Sequence, residues 1–201
     1  MRERNFLILI GLGVSSMMWA DRPVGRLVGS LPAWLADAVA AFSLLLAIAA
    51  GLFIVAIALR DGAVRRARLG QGALLVVGSA AASLASAWLL KHLVGRARPE
   101  AGVDPWSFAP LAFDDSYASL PSAQASCAAA IALSLAIALP RLRGLLVLLG
   151  AAVCLARVLV GAHWPSDVMA GWALGAAAVA GVSRLMERFA RKPDAARPGS
   201  H

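Results

Sequence analysis

Six runs of apolar residues, at about 5–20, 38–59, 70–94, 122–139, 144–161 and 166–186, decide what this chain can become. A bilayer core about 30 Å thick is crossed by about 20 mostly apolar helical residues, and each run reaches or approaches that length. Hydrophobic residues make up 60% of the 201 and charged residues only 15%. Soluble domains carry about 45–50% and about 25% respectively. The expectation is an all-α, polytopic membrane protein, with one six-transmembrane-helix bundle over residues 1–190. A disordered cytoplasmic tail, 191–201, follows, and its terminal His201 is assigned no role.

The first run follows Arg2 and Arg4, as a secretory signal would. A cut after Ala20 would place bulky Met18 where a small residue is needed, so the run is read as an uncleaved helix. The cations cluster at alternate ends of the spans. One set comprises Arg2 and Arg4; Arg60, Arg65, Arg66 and Arg68 in a 60–68 loop; Arg141 and Arg143; and Arg184, Arg188, Arg191, Lys192 and Arg197. The other holds only Arg22, Arg26, Lys91, Arg96, Arg98 and Arg157. By the positive-inside rule both termini are cytoplasmic and the loops at 21–37, 95–121 and 162–165 face outward, as in a bacterial-type inner membrane. The net charge of +8 is thus a topology signal, and no nucleic-acid partner is expected. Cys127 and Cys154 lie inside apolar runs without metal-ligand spacing, and both read as small buried hydrophobes. No metal or other cofactor is expected. Oligomeric state is left open.

Some charges interrupt this pattern. Lys91 ends the run "ASLASAWLLK" and Arg157 interrupts "VCLARVLVG". A Lys or Arg at mid-bilayer costs about 2.5–3.5 kcal/mol on insertion scales, although near a helix end either side chain can snorkel to the headgroups. Their company changes the reading. Lys91, Arg98, Ser122, Arg157, His163 and Asp167 all map to the outward ends of the third to sixth spans. Three cations, a hydroxyl, an imidazole and a carboxylate at one depth suit a phosphate group, which arginine grips bidentately and lysine attracts as a point charge.

"LPSAQAS", residues 120–126, supplies the helix end that such a site needs. Pro121 can open the fourth helix, aiming backbone N–H groups and the positive dipole end at an anion. Ser122 then reads either as a cap or as a phosphate donor, with the amides of Ala123 and Gln124 beside it. In "HWPSD", Pro165 starts the sixth helix, leaving His163 just outside and Asp167 in the first turn. A carboxylate four residues after a histidine could hold one ring nitrogen and leave the other free to attack phosphorus.

These residues resemble the type 2 phosphatidic acid phosphatase (PAP2) superfamily, related to soluble acid phosphatases and vanadium haloperoxidases. Its motifs are K-x6-R-P, P-S-G-H and S-R-x5-H-x3-D. They correspond here to "KHLVGRARP" (Lys91, Arg98, Pro99), "PSAQ" (Pro121, Ser122) and "ARVLVGAHWPSD" (Arg157, His163, Asp167), with Ala156 in place of the leading serine. The resemblance implies an integral membrane lipid phosphatase of PAP2 / vanadium haloperoxidase-like fold, with a periplasmic or extracytoplasmic active site and lipid phosphates or diphosphates as substrates. His163 would form a phosphohistidine, Asp167 would orient it, and Lys91, Arg98, Ser122, Ala123 and Arg157 would bind phosphate.

The family places a histidine, the general acid, where this chain has Gln124. An amide cannot deliver a proton at neutral pH, so substrates with poor alkoxide leaving groups should turn over slowly. An isoprenoid diphosphate such as undecaprenyl diphosphate is therefore favoured over phosphatidic acid, phosphatidylglycerol phosphate or a lipid A phosphate. A protein that binds or transports lipid phosphate with impaired catalysis is the alternative. His92, adjacent to Lys91, points to a different helix face. Trp34, Trp88 and Trp106 read as interfacial anchors, and the loop over 100–120 as either an aromatic lid or a connector.

Overall fold

The computed structural model describes residues 3–30, 32, 34, 38 and 63–190; the expected second span beyond its first residue, and the tail 191–201, lie outside the described residues. Six α-helices are described along their length: α1 (Glu3–Trp19), α2 (Asp21–Gly29), α3 (Ala63–Val94), α4 (Ala123–Ala138), α5 (Arg143–Leu159) and α6 (Pro165–Ala190). Five of the six expected spans coincide with α1, α3, α4, α5 and α6. Among the described residues the only strand-like feature is a single antiparallel bridge between Arg96 and Phe108.

Helix α4 is the hub, packed against α3, α5 and α6. Its sequence explains why. Ala125, Ala129, Ala130, Ala132 and Ala136 are buried, so neighbouring backbones approach closely. In lipid, where apolar surface gains nothing by meeting apolar surface, close packing of small residues holds helices together. Gly171 and Gly175, one turn apart on α6, complete the contact. A methyl group on Gly171 would sit 2.5 Å from the Ser122 carbonyl oxygen, and one on Gly175 would collide with that of Ser126. Gly175→Ala should therefore destabilise the fold by about 1–3 kcal/mol. Thermal unfolding in detergent micelles checks this, and an unchanged midpoint would contradict the packing. Polar bonds also cross the interior: Ser79 Oγ of α3 lies 2.8 Å from Ser134 Oγ of α4.

Three features differ from the sequence reading. The 60–68 segment is not wholly a loop, because α3 is helical from Ala63. Pro121 does not open α4; Ser122 is the N-cap, and the helix begins at Ala123. Segment 21–37 carries α2, with Pro23 tolerated in the first turn, where no intrahelical N–H is required. Val24 and Val28, one turn apart, pack on the cluster of Ala125, Cys154, Val158 and Val168, while Arg22 and Arg26 stay exposed.

The loop after α3 braces itself from two sides. Ala97 N–H donates to the Ser107 carbonyl at 3.0 Å, Arg98 N–H to Ser116 at 2.8 Å, and Ser119 N–H to Arg96 at 3.0 Å. Residues 95–98 thus run between 107–109 and 116–119, more a scaffold than a bare connector. Phe108, Leu111 and Phe113 remain exposed along it.

Candidate active site

The polypeptide delivers His163 to the interior through a tight turn. Helix α5 ends at Leu159, and Gly161 adopts a left-handed φ of 69°, the conformation that glycine takes most easily just past a helix end. His163 follows at 1% exposure. Its Nδ1 lies 3.0 Å from the Ser119 carbonyl. A carbonyl can only accept, so Nδ1 carries the proton and, in the neutral ring, Nε2 keeps its lone pair.

Burial and the charges of Arg98, Arg157 and Lys91, in that order, push the His163 pKa down to about 3 from 6.5. The three cations proposed from sequence thus act together on one ring, although they come from α3, the following loop and α5. The sign of the pH effect follows. Between about 6.5 and 3 the unfolded chain takes up a proton that folded His163 refuses, so its contribution to stability falls as pH drops. From pH 7 to pH 5 this amounts to about 2 kcal/mol. His163→Asn should lose less stability than the unaltered chain over that interval. Equal losses in melting experiments would contradict the buried neutral imidazole.

Asp167, in the first turn of α6, is fully buried, but it does not hydrogen-bond the ring as the i, i+4 spacing suggested. Oδ2 lies 3.9 Å from His163 Nδ1. The reason is competition: Oδ2 accepts from Ser119 Oγ at 2.5 Å and Trp164 N–H at 2.9 Å, while Oδ1 accepts from Arg96 at 2.7 Å. Asp167 reaches the imidazole through Ser119.

Ser122 is fully buried; its Oγ accepts from Ala125 N–H at 3.4 Å, and its own N–H donates to the Asp167 carbonyl at 3.1 Å. The capping role is therefore present, and it ties the start of α4 to the start of α6. Ala123 is half-buried and Gln124 exposed in the first turn, where helix N–H groups lack intrahelical acceptors. Arg98 makes a 3.4 Å contact with Glu100 through Nη1. Its Nε and that of Arg157 are the buried side-chain polar atoms without a hydrogen-bond partner among the described residues. A buried unpaired donor costs about 1–3 kcal/mol, so both guanidinium groups are poised to gain from an anion. An apolar crevice lined by Val24, Val28, Val158 and Trp164 borders His163 on the α2 side.

His92 is engaged elsewhere, with Nδ1 donating to the Trp88 carbonyl at 2.7 Å and its ring stacked on Phe113. Cys127 and Cys154 are free thiols. No group of three or more His, Cys, Asp or Glu side chains able to hold a metal occurs among the described residues. The sequence reading missed Asp21, Arg96, Ser119, Trp164 and Ser166, all buried around the site. Arg96 was visible only as one more cation in the spacer between Lys91 and Arg98.

Comparison with known proteins bears on this arrangement. A family model described as PAP2 superfamily matches residues 72–191, which include every candidate site residue from Lys91 to Asp167. The chain is 40% identical over 90 residues to a lipid A 1-phosphatase of Rhizobium johnstonii. It is 38% identical over 89 residues to one of Rhizobium etli. These alignments take in 44% and 43% of this chain, and the chain spans only 37% and 38% of those relatives' lengths. The crystal structure of the first transmembrane PAP2 type phosphatidylglycerolphosphate phosphatase from Bacillus subtilis superposes with a TM-score of 0.58. That match has 25% identity and covers 94% of this chain and 95% of the other. The fold is accordingly an all-α, polytopic membrane bundle.

Proposed function

Because this chain belongs to the PAP2 superfamily, we propose that it is an integral membrane lipid phosphatase working at the periplasmic face through a phosphohistidine on His163. One observation carries the reading: the unpaired Nε donors of Arg98 and Arg157 accompany a neutral imidazole whose Nδ1 is already committed. Nε2 of His163 attacks phosphorus, the bond to the leaving oxygen breaks, and water later hydrolyses the P–N bond to release phosphate. Lys91, Arg98 and Arg157, with the first-turn amides of Ala123 and Gln124, balance charge on the equatorial oxygens, the main demand of phosphoryl transfer. Asp167 balances the positive ring from behind, through Ser119.

Gln124 narrows the substrate class. Without an acid, the leaving oxygen must depart with little protonation. A diphosphate meets this condition, since it leaves as a phosphate. So does an anomeric phosphate, because the sugar ring oxygen withdraws electron density from the leaving oxygen. The name of the two relatives, lipid A 1-phosphatase, supports the glycosyl 1-phosphate; the isoprenoid diphosphate favoured by sequence chemistry shares its leaving-group advantage. A binding or transport protein with impaired turnover is the second reading, favoured by the same Gln124.

Phosphate release from a lipid A-type 1-phosphate, undecaprenyl diphosphate, phosphatidylglycerol phosphate and phosphatidic acid separates these readings. The first two should turn over fastest. Fastest turnover of phosphatidic acid would overturn the leaving-group argument, and binding of all four without release would favour the carrier.

A further inference from the structure

Behind the imidazole, Asp167 belongs to a fully buried charge network completed by Arg96 and Asp21. Arg96 is 0% exposed. Its Nε donates to the Pro105 carbonyl at 2.8 Å, Nη1 to Ser166 Oγ at 2.6 Å and Asp167 Oδ1 at 2.7 Å, and Nη2 to Asp21 Oδ2 at 2.8 Å. The Trp164 ring lies against the guanidinium, its centroid 5.8 Å away. Asp21, also 0% exposed, accepts from Ser166 N–H at 3.0 Å and Ser166 Oγ at 2.6 Å. The far carboxylate, Asp167, holds Ser119 Oγ, and the Ser119 carbonyl accepts from His163.

We infer that Arg96 is a positioning residue, locked by Asp21 of α2, which fixes Asp167 and through Ser119 sets the orientation of the His163 ring. This rests on the reading of His163 as nucleophile.

Buried ion pairs replaced by well-packed apolar residues are often neutral or stabilising, so stability alone does not call for two carboxylates around one guanidinium. Geometry does. Four bonds radiate from one rigid plane to Pro105, Ser166, Asp167 and Asp21, and this fork cannot be reproduced by the three donors of a lysine. The network also carries an excess negative charge, two carboxylates against one guanidinium. That excess lies behind the ring that becomes positive when phosphorus bonds to Nε2.

The test uses the full chain in detergent micelles and two inorganic probes. Orthovanadate forms a bond to the nucleophilic nitrogen and depends on ring orientation, whereas orthophosphate reports the cations alone. Binding and melting are measured for the unaltered chain, Arg96→Lys, Asp21→Asn and His163→Ala. Ring misorientation should weaken vanadate binding about tenfold or more in Arg96→Lys and Asp21→Asn, with orthophosphate affinity held within about twofold. The vanadium-51 resonance of the nitrogen-bonded species should fade in both and be absent in His163→Ala. Unchanged vanadate binding in the folded variants would overturn the inference. So would weakening of both probes in proportion to lost thermal stability, which is the mark of a purely structural role. If Arg96→Lys does not fold, the isosteric Asp21→Asn decides. An unaltered chain that binds no vanadate would overturn the phosphatase reading and this inference together, whereas normal vanadate chemistry in all but His163→Ala would sink this inference alone.

Discussion

Replacing Gln124 with histidine raises phosphate release from phosphatidic acid about 10²–10⁴-fold, the usual worth of a positioned general acid. The side chain is exposed in the first turn of α4, so an imidazole meets no packing obstacle there. It would stand at the same helix end that Ser122 ties to Asp167. An alkoxide leaves poorly without a proton, and histidine supplies one near neutral pH while glutamine does not. A glycosyl 1-phosphate or an isoprenoid diphosphate gains far less, because its leaving oxygen is already stabilised. Initial rates for the two chains on both substrate classes check this. Equal gains on both would show that Gln124 is not at the leaving-group side, and no gain on either would favour the carrier reading.

Replacing His163 with alanine abolishes turnover, a loss of at least about 10⁴-fold on every substrate that the unaltered chain hydrolyses. Among the described residues no other imidazole is placed to substitute: His92 is bonded to the Trp88 carbonyl and stacked on Phe113. Substrate binding survives in large part, because Lys91, Arg98 and Arg157 are untouched and are relieved of no counter-charge. The expected signature is therefore a collapse of kcat with a much smaller change in lipid-phosphate affinity. Retained turnover would remove His163 from the chemistry.

Five of the expected spans were legible because length and apolar continuity answer directly to bilayer thickness. Pro165 marked the start of α6 for a local reason, its missing N–H. The short helix α2 was not legible. Pro23, Gly25 and two arginines in nine residues read as a loop, and only the Val24–Val28 spacing hinted at a buried face. The phosphate-site cations could be listed from their interruption of apolar runs, but the buried network could not. Arg96 meets Asp21 across 75 residues, a pairing set by tertiary packing and by no local pattern. The spacing of His163 and Asp167 suggested direct contact. It misled because Arg96, Ser119 and the Trp164 amide compete for the same carboxylate.

The most direct measurement is a rapid acid-free quench of the enzyme with a phosphorus-32-labelled lipid A-type 1-phosphate, followed by peptide mapping. The covalent mechanism predicts an acid-labile, alkali-stable phosphoryl group on the peptide containing His163, formed before phosphate release and absent from His163→Ala. Phosphate release at full rate with no label on that peptide, or with the label on another residue, would contradict it.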